Sequence, residues 1–360
     1  MSSYQDIFLI PRFFKGTSRS DIDVSAKFLG RQFKLPVIPS NMSSVVNEDI
    51  ARFLAFNDYF YVMHRFFPEP DGNLKLLRKM NSELWPTTSI SVGVKQEDKN
   101  FIKAVAKENL SLDYITVDIA HGHSQLMKNM IWIIKEYLPA TKIIAGNICS
   151  GEGSNDLIQW GADCVKIGIA QGGACSTYGK TGFGVGMPET IMSVYQKARN
   201  HKFPMIIDGG IRTNGDIAKA LVLGMDAPIL IDNGDFKINY PEIMVMAGSL
   251  FARCSDSPAE TDDYGQKTYF GSASARQKGH NKNVEGFEVQ LQGNGMTFKE
   301  KLLEIEQDLQ SSVSYSGGNC LQSLSSVDYF QQNHAFINTG NRDLVFNNIR
   351  DEIKLDNNLR

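Results

Sequence analysis

The sequence predicts an α/β protein whose eight parallel strands, each followed by a helix, close into a (β/α)8 barrel. The first observation is a series of short apolar runs, which we interpret as strands at 35–41, 60–65, 89–93, 114–120, 142–148, 164–169, 205–210 and 243–248. The second is a set of amphipathic stretches between them, at 100–109, 125–137, 154–160, 188–200 and 215–223. Strands that alternate with helices indicate a parallel sheet. An open, doubly wound sheet shows the same alternation, but eight units with polar residues at the strand ends favour the barrel.

The remaining segments are additions to that barrel. A (β/α)8 barrel takes about 250 residues, so this chain of 360 residues has room for extensions. We predict a single catalytic domain over 1–325, in which 251–295 is a loop or flap and 297–310 is a helix, followed by a polar tail at 326–360. The end of that tail is expected to be partly disordered. An Asn-Gly-Asp sequence within 226–242 is flanked by apolar residues and predicts a hairpin-like insertion before the last strand.

Charge, apolar runs and cysteine spacing argue against several classes of protein. The net charge is −3 and no basic run occurs, which argues against nucleic acid or an anionic membrane as a partner. No stretch reaches the ~20 apolar residues of a membrane helix and no signal peptide is recognisable, so we predict a cytoplasmic protein. The five cysteines are an odd number without Cys-x-x-Cys spacing, which indicates neither a disulfide framework nor a zinc site. His121 and His123 lack a third ligand, so we assign them to a ligand pocket rather than to a metal.

One cysteine, Cys175, lies in a glycine-rich loop directly after the apolar run 164–169. Glycines let a backbone bend sharply or approach a ligand closely. Backbone N–H groups in such a loop, with Lys166 and Lys180 nearby, favour the thiolate, which is the nucleophilic form. The alternative for an isolated cysteine is a small apolar filler. The position at the end of a strand favours the nucleophile.

Two glycine-containing turns predict a phosphate site. Asp208-Gly209-Gly210 follows the seventh strand, and Gly248-Ser249 follows the eighth. Barrel enzymes commonly hold a phosphate at these two loops, where backbone N–H groups and a helix N-terminus meet the anion. Asp208 is placed to accept a hydrogen bond from a ribose hydroxyl. The sequence therefore predicts a phosphorylated ligand whose far end reaches Cys175.

Taken in order, these motifs resemble the family of IMP dehydrogenases and GMP reductases over nearly all of residues 1–325. The similar segments are 35–42, 61–65, 118–124, 145–147, the Cys175 loop, 208–213, 248–252, 269–274, 283–286 and 311–315. The resemblance implies a (β/α)8 barrel that acts on a purine nucleotide. The reductase branch is the nearer one, because dehydrogenases carry a regulatory domain between early barrel elements and an Arg-Tyr pair on their flap. No such domain interrupts 89–118, and no Arg-Tyr pair occurs within 251–300.

The resemblance implies reductive deamination of GMP to IMP and ammonia with NADPH. Cys175 would attack the guanine ring to form a thioimidate, while Thr177 and Glu285 manage the proton transfers. The residues that the resemblance assigns to GMP or IMP are Asp208, Gly209, Gly210, Gly248, Ser249, Ser272, Ala273, Ser274, Lys282 and Gly286. Those assigned to NADPH are Arg65, Asp118, Ala120, Ser311 and Tyr315, of which the last two would reach the dinucleotide of a neighbouring subunit in a homotetramer.

The cysteine loop departs from the family pattern. Family members usually have Gly-x-Gly-Pro-Gly before the cysteine, whereas this chain has Ala170 and Gln171 at the second glycine and the proline. In some members the loop carbonyls bind potassium (K+), a role that would fall here to Ala170, Gly172 and Cys175. Ala275 stands where an acidic residue is usual. An NAD-dependent IMP dehydrogenase, or a nucleotide-binding relative without activity, therefore remains an alternative.

Overall fold

The computed structural model describes residues 2–198, 203–225 and 241–332. Within these ranges the strands are β1 (Ile7–Leu9), β2 (Ala26–Phe28), β3 (Arg31–Phe33), β4 (Val37–Pro39), β5 (Ser89–Val92), β6 (Tyr114–Asp118), β7 (Lys142–Ile148), β8 (Cys164–Ile167), β9 (Met205–Asp208), β10 (Ile243–Ala247), β11 (Gln266–Phe270), β12 (Glu288–Gln292) and β13 (Tyr329–Gln331). The α-helices are α1 (Glu48–Phe56), α2 (Gly72–Ser82), α3 (Gln96–Lys107), α4 (Gln125–Tyr137), α5 (Gly151–Gln159), α6 (Thr177–Thr181), α7 (Met187–Ala198), α8 (Asn214–Met225), α9 (Ser249–Ala252), α10 (Ala275–Lys278) and α11 (Phe298–Tyr315).

The centre of the fold is a parallel sheet of seven strands in the described ranges. Its order is β4-β10-β9-β8-β7-β6-β5, so consecutive strands from β5 to β10 pair with each other and the first strand, β4, pairs with the last, β10. Seven of the eight predicted strands are thereby confirmed. The strands are almost wholly buried, because in a parallel sheet the crossover helices cover the outer face while side chains fill the inner one.

The eighth predicted strand, at 60–65, makes a single bridge to the sheet, between Met63 and Ile90. The N–H of Met63 donates to the carbonyl of Ser89 at 3.1 Å, and the N–H of Ser91 donates to the carbonyl of Met63 at 2.8 Å. The segment is buried as expected. It lies against the edge of β5, but two hydrogen bonds make no ladder, so what the structure shows in the described ranges is a curled parallel sheet of seven strands.

The helices cover the sheet as the apolar pattern predicts. Side chains of Asn47, Ser124 and Ser150 accept hydrogen bonds from backbone N–H groups in the first turns of α1, α4 and α5, which satisfies donors that a helix start leaves unpaired. Helix α8 is buried on nearly all sides, because α11 and the 3₁₀ helix Leu321–Ser326 pack over it. None of the helices in the described ranges is long and apolar enough to span a bilayer.

The C-terminal part is more regular than the sequence predicts. Within 251–295, β11 and β12 form an antiparallel ribbon that carries α10 between them. Helix α11 runs to Tyr315, five residues beyond the predicted end at 310. Part of the predicted tail is the strand β13, which pairs with β1. The predicted insertion at 226–242 lies almost entirely outside the described residues, and so does the tail from 333 onward.

Candidate active site at the carboxyl ends of the strands

A cavity of about 340 Å³ opens at the carboxyl ends of the parallel strands. A cavity of this size suits a small-molecule ligand. Because parallel strands end at one edge of the sheet, loops far apart in the sequence meet there. The predicted site residues that line it are Arg65, Asp118, Ala120, Ala170, Gly172, Cys175, Thr177, Asp208, Gly209, Gly210, Gly248, Ser249, Ser272, Ala273, Glu285 and Gly286.

Three side chains in this cavity form a hydrogen-bonded chain. The thiol of Cys175 donates to the hydroxyl of Thr177, with Sγ and Oγ1 3.2 Å apart. That hydroxyl donates to the carboxylate of Glu285, with Oγ1 and Oε2 2.9 Å apart. A nucleophile next to a hydroxyl that contacts a carboxylate can pass its proton to that carboxylate. The arrangement can therefore generate a thiolate and store its proton.

Backbone hydrogen bonds hold the cysteine loop against the segment that carries Glu285. The N–H of Ser176 donates to the carbonyl of Glu285 at 2.8 Å, and the N–H of Phe287 donates to the carbonyl of Ala174 at 3.0 Å. The N–H of Glu285 donates to the carbonyl of Ala273 at 3.0 Å. The segment between β11 and β12 thus brings the carboxylate of Glu285 to the nucleophile on the loop after β8.

The cavity floor contains a cluster of charges around a buried lysine. Lys166 is 2% exposed, and its Nζ lies 3.0 Å from Oδ1 of Asp118 and 2.5 Å from Oδ2 of Asp208. The amide of Asn41 donates to Asp118 at 2.9 Å, and the amide of Asn147 donates to Asp208 at 2.9 Å. Each carboxylate thus has both an ammonium and an amide partner, as buried charges require.

These contacts keep the cluster ionised. Burial alone would lower the pKa of Lys166, but the charges of Asp118 and Asp208 outweigh it and raise that pKa above its ordinary value. Burial alone would raise the pKa of Asp118, but Lys166, Arg65 and the amide of Asn41 hold it below its usual range. The sequence analysis expected Lys166 to stabilise the thiolate of Cys175. In the structure its ammonium instead pairs with the carboxylates of Asp118 and Asp208.

The two predicted phosphate turns border the cavity. Gly209 and Gly210 have φ of +124° and +81°, in the left-handed region that favours glycine. The N–H of Gly210 donates to the carbonyl of Gln171 at 3.0 Å, so this donor already has a partner. A Cβ on Gly248 would lie 2.3 Å from the hydroxyl of Tyr269. The absence of a side chain at Gly248 thus makes room for a tyrosine as well as for a ligand.

The loop assigned to potassium keeps a glycine-like backbone. Ala170 has φ of +68°, which is uncommon for a residue with a Cβ. The carbonyl of Gly172 accepts from the N–H of Cys175 at 3.0 Å. The side-chain amide of Gln171 donates to the carbonyl of Val185 at 2.8 Å, which ties the loop to the segment before α7.

Four predicted ligand residues lie outside the cavity lining. Ser274 is buried and caps α10, where its hydroxyl accepts from the N–H of Gln277. Lys282 is exposed on the loop that follows α10, and Lys278 lines the cavity from that helix instead. Ser311 and Tyr315 lie on α11, where Arg19 contacts both of them.

Neither His121 nor His123, which the sequence assigned to a ligand pocket, is among the residues that line the cavity. His123 shares a hydrogen bond of 2.8 Å with Asp156 and packs against Trp160. Among the residues that the structure describes, no group of three or more His, Cys, Asp or Glu side chains could hold a metal ion.

Sequence reasoning assigned no ligand role to several polar residues of the cavity, among them Lys166, Asn147 and Tyr269. Lys166 had a signal, since it is the one charged residue in the apolar strand β8. Asn147 follows a glycine near the end of β7 and could have been found by the same strand-end rule that found Asp118. Tyr269 lies on β11, whose pairing was not predicted; burial raises the pKa of its phenol, so it is present as a neutral hydroxyl.

Fold and site together define an α/β protein with a nucleophilic cysteine and a proton relay at the carboxyl ends of parallel strands, which is the arrangement of an enzyme that works by covalent catalysis. Comparison with known proteins narrows this class. The sequence profile of the IMP dehydrogenase / GMP reductase domain matches residues 1–341. The chain belongs to this family.

Three curated relatives show how far the similarity extends. The chain is 45% identical to the GMP reductase of Staphylococcus carnosus over 343 residues, which are 94% of this chain and 98% of the relative. It is 46% identical to the GMP reductase of Staphylococcus epidermidis over 344 residues, with the same two coverages. It is 46% identical to the GMP reductase of Clostridium acetobutylicum over 329 residues, which are 91% of this chain and 94% of the relative.

Proposed function

We propose that the protein is a GMP reductase that converts GMP to IMP and ammonia with NADPH. The observation that carries the proposal is the hydrogen-bonded chain from Cys175 through Thr177 to Glu285 inside the cavity. Relatives named GMP reductase that match over nearly the whole chain support the same reaction. The intact relay argues against a binding protein without activity.

The proposed covalent step balances with the groups present. The sulfur of Cys175 forms a bond to C2 of the guanine ring, and the bond from C2 to the exocyclic amino group breaks. The thiol proton passes through Thr177 to Glu285, which returns it to the leaving amino group, so that neutral ammonia departs and a thioimidate remains. The covalent step replaces one difficult displacement by two easier ones.

NADPH, when bound, supplies the hydride that replaces sulfur at C2 and releases IMP. Arg65, Asp118 and Ala120 are the proposed residues on the nicotinamide side. The Nε of Arg65 is buried and has no protein partner among the described residues, so a donor is left for a ligand. Ser311 and Tyr315 are proposed to contact the dinucleotide of a neighbouring subunit in a homotetramer.

The nucleotide is proposed to lie with its phosphate at the turns of Gly209, Gly210, Gly248 and Ser249 and its ribose at Asp208. The base would lie near Ser272, Ala273, Ser274 and Gly286, with Lys282 nearby. Potassium at the carbonyls of Ala170, Gly172 and Cys175 stays a prediction, which activity measured in potassium and in lithium salts tests. We also propose that 60–65 closes the sheet into a barrel within a single domain over 1–325.

The deciding experiment follows absorbance at the NADPH band in two reactions. With GMP and NADPH, the absorbance should fall and ammonia should appear in equal amount. With IMP and NAD, a dehydrogenase would raise the absorbance steadily and produce XMP, which we do not expect. Steady turnover in the second reaction alone would make the protein an IMP dehydrogenase, and turnover in neither would leave a protein that only binds nucleotides.

A further inference from the structure

Two lysines from different elements hold the segment directly before Glu285. The Nζ of Lys180, on α6, donates to the carbonyl of Val284 at 2.6 Å. The Nζ of Lys278, on α10, donates to the carbonyl of Asn283 at 2.5 Å. Hydrogen bonds from charged donors are shorter and stronger than those between neutral groups. Two consecutive carbonyls are thus fixed immediately before the proposed proton carrier.

This segment needs external support. Asn283 has φ of +53°, a left-handed conformation that asparagine adopts more readily than other residues with a side chain and that is typical of a turn. Residues 279–283 are exposed, so little packing holds them in place. The ammonium groups therefore supply contacts that an exposed loop otherwise lacks.

Lys180 also belongs to the helix that carries the relay hydroxyl. Thr177 and Lys180 are three residues apart on α6, which places them on the same side of the helix. Thr177 binds the carboxylate of Glu285, and Lys180 binds the carbonyl of the residue before it. One short helix therefore holds Glu285 by its side chain and by its backbone.

We propose that Lys180 is a positioning residue that keeps the carboxylate of Glu285 within reach of Thr177 and Cys175. The inference rests on the proposed function. Lys180 is absent from the cavity lining, so it acts through Glu285 and not on the nucleotide. The sequence analysis expected Lys180 to stabilise the thiolate of Cys175; we propose the positioning of Glu285 in place of that role.

The test separates deamination from hydride transfer. Deamination of GMP needs Glu285 to return a proton to the leaving amino group, whereas the reverse hydride step has no leaving amino group to protonate. In that step the thiol of Cys175 gives up its proton to solvent, the sulfur adds to C2 of IMP, the hydride leaves to NADP, and a thioimidate and NADPH form without ammonia. Lys180→Met should lower kcat with GMP by about tenfold to a hundredfold, the usual cost of a misplaced catalytic group. The burst of NADPH from IMP and NADP should stay within about twofold of wild type.

Three further variants make the result decisive. Lys180→Arg keeps the donors and should keep most of the activity, while Lys299→Met removes an exposed lysine of α11 and should change nothing. In a Glu285→Gln background, Lys180→Met should cause no further loss, because residues that act through one another are not additive. Unchanged GMP turnover in Lys180→Met, an equal loss in both reactions, or full additivity with Glu285→Gln would overturn the proposal. A wild-type protein inactive in both reactions would instead refute the proposed function.

Discussion

Replacing Thr177 by valine tests the relay most directly, because valine has nearly the shape of threonine but no hydroxyl. The structure places that hydroxyl 3.2 Å from the thiol of Cys175 and 2.9 Å from the carboxylate of Glu285. Both hydrogen bonds are lost in the variant. The proton then has no side-chain route from the sulfur to the carboxylate, while the main chain of the loop is undisturbed.

The expected magnitude follows from the role of the lost group. General acid–base help is typically worth about 10² to 10⁴ in rate, which corresponds to about 3 to 5 kcal/mol in the barrier. Hydrogen bonds that only stabilise the loop would cost about 1 kcal/mol each in folding free energy and leave the rate nearly unchanged. A proton-relay role and a purely structural role of Thr177 therefore predict clearly different rates for the variant, which steady-state kinetics can distinguish.

The assay measures initial rates of NADPH consumption with GMP for wild type, Thr177→Val and Thr177→Ser. Serine retains a hydroxyl and should recover much of the rate, whereas valine should lose at least about a hundredfold in kcat. Thermal unfolding of each variant checks that the fold is intact. Turnover of Thr177→Val within about threefold of wild type would refute the relay.

Three other changes probe the cavity. Cys175→Ser should abolish turnover and the NADPH burst from IMP and NADP while calorimetry still shows GMP binding, and turnover near the wild-type rate would exclude a covalent mechanism. Lys166→Met should cost about 3 to 5 kcal/mol of folding free energy at pH 7, because it leaves the largely covered carboxylates of Asp118 and Asp208 without their cation, and less at pH 5, because burial raises the pKa of Asp118 once Lys166 is gone; denaturant unfolding showing an equal loss at both pH values would contradict this. Ala170→Gly should raise stability by about 0.5 to 1 kcal/mol, since relief of the left-handed backbone exceeds the entropy cost of glycine, and a lower unfolding midpoint would show that the alanine packs usefully.

The sequence predicts the central sheet well because its strands are buried on both faces. Such strands are continuous apolar runs, and seven of them appear in the structure where the runs lie. The run at 60–65 is equally apolar and equally buried, but burial does not determine hydrogen-bond pairing, and it makes only one bridge. Apolar pattern therefore predicts position in the core better than it predicts the extent of a ladder.

The sequence did not predict the ribbon of β11 and β12, because these strands, unlike those of the central sheet, are not continuous apolar runs. Its strands are half-exposed, and β12 reads Glu-Val-Gln-Leu-Gln, an alternation that indicates a strand with one face in water. The surrounding Gly, Ser and Lys residues obscured this signal. The position of Glu285 in the cavity depends on this ribbon. The sequence identified Glu285 only through the family resemblance, and its contact with Thr177 is known from the structure.

Asp118 and Lys166, two charged residues of the cavity floor with shifted pKa values, set the pH range in which their ion pair contributes fully to stability. Asp118 has a lowered pKa, so its stabilising contribution is present above the ordinary aspartate value of about 4 and is lost as the pH falls through the lowered one. Lys166 has a raised pKa, so its contribution is present below the ordinary lysine value of about 10.4 and is lost as the pH rises through the raised one. Between these limits the charges of Asp118 and Lys166 do not change. A change in kcat with pH inside this range would therefore come from groups other than Asp118 and Lys166.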